Sequence, residues 1–255
     1  MAIKKYLIPF LILSGLPVAA DVPLGTDIVL LGEVHDNPDA HLGQAAAIQA
    51  LQPTAVVFEM FSPEDAVRAN LDRATLPEIW SAMSWPDYAI YQPIFDALGN
   101  ATIVGAAASR DTTRAVFENG AASVFGAEAS RFGLDLALPA DQQAKREELQ
   151  FEAHCEAMPK EMMSGMVEVQ RFRDALFAKA AIEALETYGP LVVVVTGNGH
   201  ARADWGIPVF IKNAKPEATT FSIAFSESVL NASFDKVHIV PEAERSDPCA
   251  AFKKS

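Results

Sequence analysis

The most informative stretch of the sequence is Leu191-Val192-Val193-Val194-Val195-Thr196. A helix-stopping segment, Tyr188-Gly189-Pro190, precedes it, and Gly197 follows it. Valine favours the extended backbone, and a short run that is apolar at every position predicts a strand buried on both faces. Such strands occur in parallel sheets, where the crossover connections place helices over both faces. The stretch therefore predicts an α/β protein.

Similar segments along the chain extend this prediction. Strands are predicted at Asp27–Leu31, Thr54–Phe58, Thr102–Ala106, Ile207–Ile211 and Thr219–Phe225, with an edge strand at Lys236–Val240. Helices are predicted at His41–Leu51, from Ser62-Pro63 onward, and from Ala140 to about Thr187 with a break near Pro159. Residues 76–98 are predicted to form short helices with an aromatic-rich surface. The expected fold is α/β, with a mostly parallel sheet, helices on both faces and a small helical cap. We expect one domain over residues 21–255.

The first 20 residues have the three parts of a secretory signal peptide. Lys4 and Lys5 give a positive start, Tyr6 to Leu13 is almost wholly apolar, and Val18-Ala19-Ala20 offers a small-residue cleavage site. The alternative is an uncleaved anchor, but the apolar run is shorter than the roughly 20 residues needed to span a bilayer. The pattern predicts a periplasmic or secreted protein.

Charge and cysteine content narrow the functional classes. The chain carries 20 basic and 33 acidic residues, a net charge of −13, which disfavours nucleic acid and anionic membranes as partners. Cys155 and Cys249 are the two cysteines. An even number of cysteines in an exported protein predicts a disulfide between them, and two free thiols are the alternative.

Polar residues follow three of the predicted strands. Glu33 and His35 follow the first, Glu59 follows the second, and Asn198 and His200 follow Leu191–Thr196. Ligands of open parallel sheets collect beyond the carboxyl ends of the strands. Two carboxylates and two imidazoles there are suited to binding a divalent metal or to acid–base chemistry. The alternative is a closed hydrogen-bond network that only fixes loops.

The long helix carries a second polar cluster. Gln170, Arg173 and Asp174 share one helix face with Met166 and Phe177, which predicts that these polar groups point inward. Arg173 is then expected to pair with Glu33 or Glu59 and keep it ionised. A local surface network of the three polar residues is the alternative.

At this point the sequence resembles the ChaN-like haem-binding proteins. The resemblance rests on Leu30-Leu31-Gly32-Glu33-Val34-His35-Asp36-Asn37, Phe58-Glu59-Met60, Gln170-Arg171-Phe172-Arg173-Asp174 and Thr196-Gly197-Asn198-Gly199-His200-Ala201-Arg202, in that order. It implies an α/β core with a helical subdomain, haem binding and a role in iron uptake. Some members of the family are lipoproteins, and this chain lacks the cysteine for lipid attachment.

The resemblance names the cofactor but not the haem ligand. Tyrosine and histidine both ligate haem iron, so Tyr88, Tyr91 and His154 are the candidates. The sequence contains no Cys-x-x-Cys-His, which excludes covalent attachment of the c type. A homodimer is expected when haem is bound.

The resemblance also leaves an enzymatic alternative open. The superfamily includes the erythromycin esterases and the Tiki metalloproteases, which use equivalents of these strand-end residues for hydrolysis or metal binding. Glu33, His35, Glu59 and His200 are the corresponding candidates for a divalent metal site. Two hypotheses therefore compete, a haem-binding protein and a metal- or Glu/His-assisted hydrolase. An exported protein with a relic site is the third possibility.

Overall fold

A computed structural model describes residues 21–250 and Phe252, so the predicted signal peptide lies outside the described residues. Six strands occur in this part of the chain: β1 (Ile28–Glu33), β2 (Ala55–Phe58), β3 (Thr102–Gly105), β4 (Val192–Gly197), β5 (Thr220–Ser226) and β6 (Lys236–Ile239). They form one sheet in the order β3-β2-β4-β1-β5-β6, and every neighbouring pair is parallel. The predicted fold class is confirmed, and the valine-rich stretch lies at the centre of the sheet.

Helices connect the strands and cover both faces of the sheet. Those described are α1 (Pro38–Leu51), α2 (Pro63–Leu71), α3 (Leu76–Ser81), α4 (Tyr88–Ala97), α5 (Arg110–Asn119), α6 (Ala121–Phe125), α7 (Ala140–Ala153), α8 (Met163–Tyr188), α9 (Asn198–Ala201) and α10 (Ile207–Ala214). Ser62 caps α2 as predicted, because its side chain accepts a hydrogen bond from the backbone N–H of Asp65. The long helical region is broken around Pro159, also as predicted.

The sheet buries alternate residues of β4 in two separate cores. Val193 and Val195 face a core that contains the aromatic residues of α3 and α4, and Val192 and Val194 face one built largely from α8 and α10. Each of these valines is fully buried. Burial on both faces explains why the four consecutive residues Val192–Val195 are apolar instead of alternating with polar ones.

The strand register determines which polar residues become neighbours. Glu33 at the end of β1 pairs in register with Gly197 at the end of β4. Phe58 pairs with Val195, so Glu59, the next residue, comes beside Thr196. The two carboxylates therefore flank the carboxyl end of the central strand.

Two local predictions are wrong. Residues 207–211 form the start of α10 rather than a strand. Pro208 in the first turn suits a helix start, and a short apolar run does not distinguish a strand from a buried helix. The aromatic residues of 76–98 do not all lie at the surface, because Trp80 and Tyr91 are buried in the core.

The disulfide between Cys155 and Cys249 is present in the structure. It joins the segment after α7 to the C-terminal tail across 94 residues of sequence. Among the described residues, no helix is long and apolar enough to cross a membrane.

Candidate functional site

Glu33 is the most deeply enclosed carboxylate of the site. Its Oε1 accepts hydrogen bonds from the Tyr91 hydroxyl at 2.5 Å and from His35 Nδ1 at 2.8 Å. His41 Nδ1 lies 3.3 Å from Oε2. Burial raises the pKa of Glu33, but the two imidazoles outweigh burial and bring the pKa below its usual value. Glu33 is thus a buried, ionised anchor for His35.

His35 is the solvent-accessible member of this group, with 38% of its side chain exposed. Its Nδ1 is held by Glu33, and its Nε2 lies 3.9 Å from Oε1 of Glu59. The Trp85 ring approaches it edge-on, with the ring centroids 4.9 Å apart. Burial lowers the pKa of His35, but Glu33 and Glu59 together raise it above its usual value.

Glu59 is held by donors from two other elements. Its Oε2 accepts hydrogen bonds from the Thr196 hydroxyl and from the backbone N–H of Gly197, the latter at 2.8 Å. Arg173 Nη2 donates to Oε1 at 3.2 Å, so α8 supplies a cation to the end of β2. Burial raises the pKa of Glu59, but the charges of His200, His35 and Arg173 and the Thr196 hydrogen bond lower it to about 2.

The ionised form of Glu59 should make the folded state sensitive to acid. Its pKa falls from an ordinary 4.5 to about 2, so its stabilising effect is present above pH 4.5 and is lost as the pH falls towards 2. The shift corresponds to about 3 kcal/mol at neutral pH. We expect the difference in unfolding free energy between wild type and Glu59→Gln, from urea titrations, to shrink between pH 7 and pH 3. A difference independent of pH would contradict the assignment.

His200 forms a second histidine–carboxylate pair. Its Nδ1 lies 2.6 Å from Oδ1 of Asp174 on α8, and the edge of the Phe177 ring packs against it. Burial raises the pKa of Asp174 above its usual value, against the opposing effect of His200. His200 acts on Glu59 through space, because its electrostatic effect lowers the pKa of that carboxylate.

The side-chain amide of Asn198 binds the backbone of β5 and makes no hydrogen bond to Glu33 or Glu59 among the described residues. Its Nδ2 donates to the backbone oxygen of Phe225 at 2.8 Å, which ties α9 to the end of β5. Its Oδ1 would lie 2.4 Å from a Cβ added at Gly32. Gly32 in β1 therefore permits the close approach of Asn198, which follows β4.

His41 and Tyr91 complete the site, and sequence reasoning gave neither of them this role. Both are fully buried, and the imidazole of His41 also contacts the backbone oxygen of His35 at 3.0 Å. A histidine in the first turn of an Ala-rich helix was the available signal for His41. Tyr91 is also one of the predicted haem ligands; its hydroxyl donates to Glu33, and burial raises its pKa.

The other two predicted haem ligands lie apart from these residues. Tyr88 is half-buried on α4 and stacks on Phe95, with ring centroids 5.4 Å apart. His154 follows α7 and its Nδ1 contacts the backbone oxygen of Gln150 at 2.7 Å. Neither side chain contributes to the hydrogen bonds of Glu33 or Glu59 described above.

The four predicted metal ligands do not form a ready coordination set. Both oxygens of Glu59 accept hydrogen bonds, and His200 directs its Nδ1 to Asp174. Within residues 21–250 and Phe252, no cluster of three or more His, Cys, Asp or Glu side chains is arranged to hold a metal ion. Metal binding by Glu33, His35, Glu59 and His200 would require these side chains to exchange their present partners.

A cavity of about 610 Å³ opens beside Glu59 and Arg173. Met60, Met83 and Trp85 give it an apolar wall, and Arg110 and Arg173 supply two cations. We call it the tryptophan cavity. His35 stands at its edge, because its ring contacts Trp85 and its Nε2 faces Glu59.

These features define a class of protein: an α/β protein with a parallel sheet and a cluster of polar side chains at the carboxyl edge of that sheet, where ligands of such sheets collect. The chain belongs to the family described as haem-binding uptake, Tiki superfamily, ChaN, which matches residues 21–211. The resemblance inferred from the strand-end motifs is therefore confirmed. No curated protein matches the chain significantly.

One solved structure agrees with the fold. The chain is similar to ChaN of Campylobacter jejuni, whose structure is described as showing cofacial haem binding. The TM-score is 0.63 at 19% identity, covering 81% of this chain and 84% of that one. Two further structures are more distant. The type III effector HopBA1 has a TM-score of 0.41 at 15% identity, covering 78% of this chain and 77% of that one. A succinoglycan biosynthesis protein has a TM-score of 0.41 at 11% identity, covering 79% of this chain and 66% of that one.

Proposed function

We propose that this chain is an exported haem-binding protein that acts in haem or iron handling. The observation that carries the proposal is the match of residues 21–211 to a haem-binding uptake family. The tryptophan cavity supports it, because haem is a flat apolar ring with two carboxylates. Met60, Met83 and Trp85 provide apolar contacts for the ring, and Arg110 and Arg173 provide cations for the propionates.

We propose that His35 would supply the protein ligand to the haem iron. It combines partial exposure with contact to residues that line the cavity. Its Nδ1 is held by Glu33 and its Nε2 faces Glu59 at 3.9 Å. A histidine whose first nitrogen is oriented by a carboxylate is the usual arrangement of a metal-binding imidazole.

The test is a titration of the mature protein, residues 21–255, with haemin, followed at the Soret band. We expect a saturable shift for wild type, and a loss of affinity of about tenfold or more for His35→Ala. His238→Ala is the matched control, since His238 lies on β6 and stacks on Phe225. Tyr88→Phe and His154→Ala test two of the three haem ligands predicted from the sequence.

The titration distinguishes whether the protein binds haem from which residue binds the haem iron. If wild type gives no saturable shift, haem binding itself is refuted. If Tyr88→Phe or His154→Ala loses the shift while His35→Ala keeps it, haem binds elsewhere and the proposed ligand is wrong.

Export and assembly are further parts of the proposal. The disulfide supports an oxidising compartment, so we propose a periplasmic or secreted single domain over residues 21–255. The cofacial haems described for the Campylobacter jejuni protein support a homodimer that forms on haem binding. Light scattering with and without haemin should then show a doubling of mass.

A hydrolase is the second candidate, and one observation favours it. Two histidine–carboxylate pairs, Glu33–His35 and Asp174–His200, stand on either side of Glu59, an arrangement suited to activating water. Turnover of a 4-nitrophenyl ester by wild type, lost in His35→Ala and in His200→Ala, would support it. No turnover above the control His238→Ala would count against it.

A further inference from the structure

A second cavity lies between α7, α8 and the segment after α9. Its volume is about 290 Å³, and it shares no lining residue with the tryptophan cavity. Leu149 and Val167 form an apolar part of its wall. Arg146, Arg202 and Trp205 lie on its other side. We call it the arginine cavity.

Three cations surround one aromatic ring at this cavity. The guanidinium carbon of Arg202 lies 3.4 Å and that of Arg146 4.9 Å from the centroid of the Trp205 ring. Lys145 Nζ lies 5.4 Å from the same centroid. Cations stack favourably on tryptophan, so the ring holds the guanidinium groups in place. The concentration of positive charge is unusual in a chain whose net charge is −13.

Arg146, unlike Arg202, forms no ion pair with a carboxylate among the described residues. Arg202 is matched by Asp204, with two bonds of 2.6 and 2.7 Å. Arg146 is only 9% exposed and donates to Gln142 Oε1 at 3.0 Å and to the Trp205 backbone oxygen at 3.5 Å. Among the described residues its Nε has no hydrogen-bond partner, and no ion pair of Arg146 occurs.

The carboxylate of Asp174, which also lines the cavity, does not fill this role. Its Oδ1 is already bonded to His200 Nδ1 at 2.6 Å. A buried guanidinium without an ion-pair partner is costly, and burial lowers the pKa of Arg146 to about 10 although the charges of Asp174 and Asp204 act in the opposite direction. Carboxylates match the fork of an arginine better than point anions do.

We infer that the arginine cavity binds a small organic acid, with its carboxylate on Arg146 and its apolar body against Leu149, Val167 and Trp205. The cavity is less than half the volume of the tryptophan cavity, so the ligand is smaller than haem. The volume of the arginine cavity lies at the lower end of the range for small-molecule sites, which suits an aromatic or branched monocarboxylate of about ten heavy atoms. This site is separate from the proposed haem site and does not depend on it.

The test is isothermal titration calorimetry of the mature protein with 4-phenylbutyrate. We expect a dissociation constant of roughly millimolar or tighter. The neutral amide of the same shape and inorganic phosphate should bind at least about tenfold more weakly, because one lacks the charge and the other the apolar body. Equal binding of acid and amide, or no binding of the acid across the millimolar range, would overturn the proposal.

Two variants locate the site. Arg146→Gln should weaken 4-phenylbutyrate by about tenfold or more, with Arg131→Gln as the control at an arginine paired with Glu128 outside the cavity. Ala153→Phe keeps Arg146 but fills the cavity from an exposed position on its rim, and it should also remove binding. Unchanged affinity in either variant, with circular dichroism showing a folded protein, contradicts the assignment.

The haem carboxylates are the other possible source of an anion at Arg146. Saturating the protein with haemin should leave the affinity for 4-phenylbutyrate unchanged. Mutual competition would show that haem itself occupies the arginine cavity, and the separate acid site would then be wrong.

Discussion

Glu33→Ala should lower the free energy of unfolding by about 3–5 kcal/mol, the cost of removing one member of a buried charged group. The side chain of Glu33 is fully buried and takes hydrogen bonds from Tyr91 and His35. Its charge also raises the pKa of His35 and of His41. Without the carboxylate, the Tyr91 hydroxyl and His35 Nδ1 lose their shortest hydrogen bonds, and the buried imidazole of His41 loses its nearest carboxylate.

Urea denaturation at neutral pH measures this loss. Glu118→Ala is the matched control, because Glu118 is an exposed glutamate near the end of α5. The control should change the unfolding free energy by about 0.5 kcal/mol or less. A similarly small effect of Glu33→Ala would show that the cluster does not hold the carboxyl edge together.

Gly206→Ala should destabilise the protein by about 3 kcal/mol, or displace the backbone between His200 and Arg202. A Cβ at Gly206 would lie 2.2 Å from the backbone oxygen of His200 and 2.7 Å from that of Arg202. Neither oxygen belongs to a side chain that can swing away. The chain must therefore move at His200, which also contacts Asp174.

Gly199→Ala is the matched control for this prediction. Gly199 lies in the same segment, has no positive φ, and a Cβ there would meet nothing within 4 Å. Its unfolding free energy should stay close to that of wild type. Equal midpoints of thermal unfolding for the two alanine variants would contradict the steric account.

The sheet could be predicted from local sequence because burial on both faces leaves an unambiguous pattern. The four consecutive valines of β4 show this pattern, and each end of the strand differs from the predicted end by one residue. Residues 207–211 have a similar apolar composition yet form a helix. Periodicity does not separate the two cases in so short a run.

The site could be predicted in part for the same reason. Glu33 and Glu59 directly follow or end buried strands, so the parallel register brings them beside β4. The partner of each carboxylate depends on where the helices pack, which local sequence does not specify. The contacts of His41 on α1 with Glu33 and of Asp174 on α8 with His200 therefore could not be predicted from sequence spacing alone.

The contact made by Asn198 also could not be predicted from its place in the sequence. It lies in a motif with His200, yet its amide ties α9 to Phe225 on β5. The arginine cavity depends on Arg146, whose place beside Trp205 arises from packing between distant segments. Neither contact leaves a spacing signal in the sequence.

The central claim is that haem binds beside Trp85 with His35 on the iron. Resonance Raman spectroscopy of the reduced haem complex tests it most directly, because an iron–histidine stretching band reports an imidazole ligand. We predict that wild type shows this band and that His35→Ala loses it, while His154→Ala and His238→Ala keep it. A wild-type complex without the band, or one that keeps it in His35→Ala, would contradict the claim.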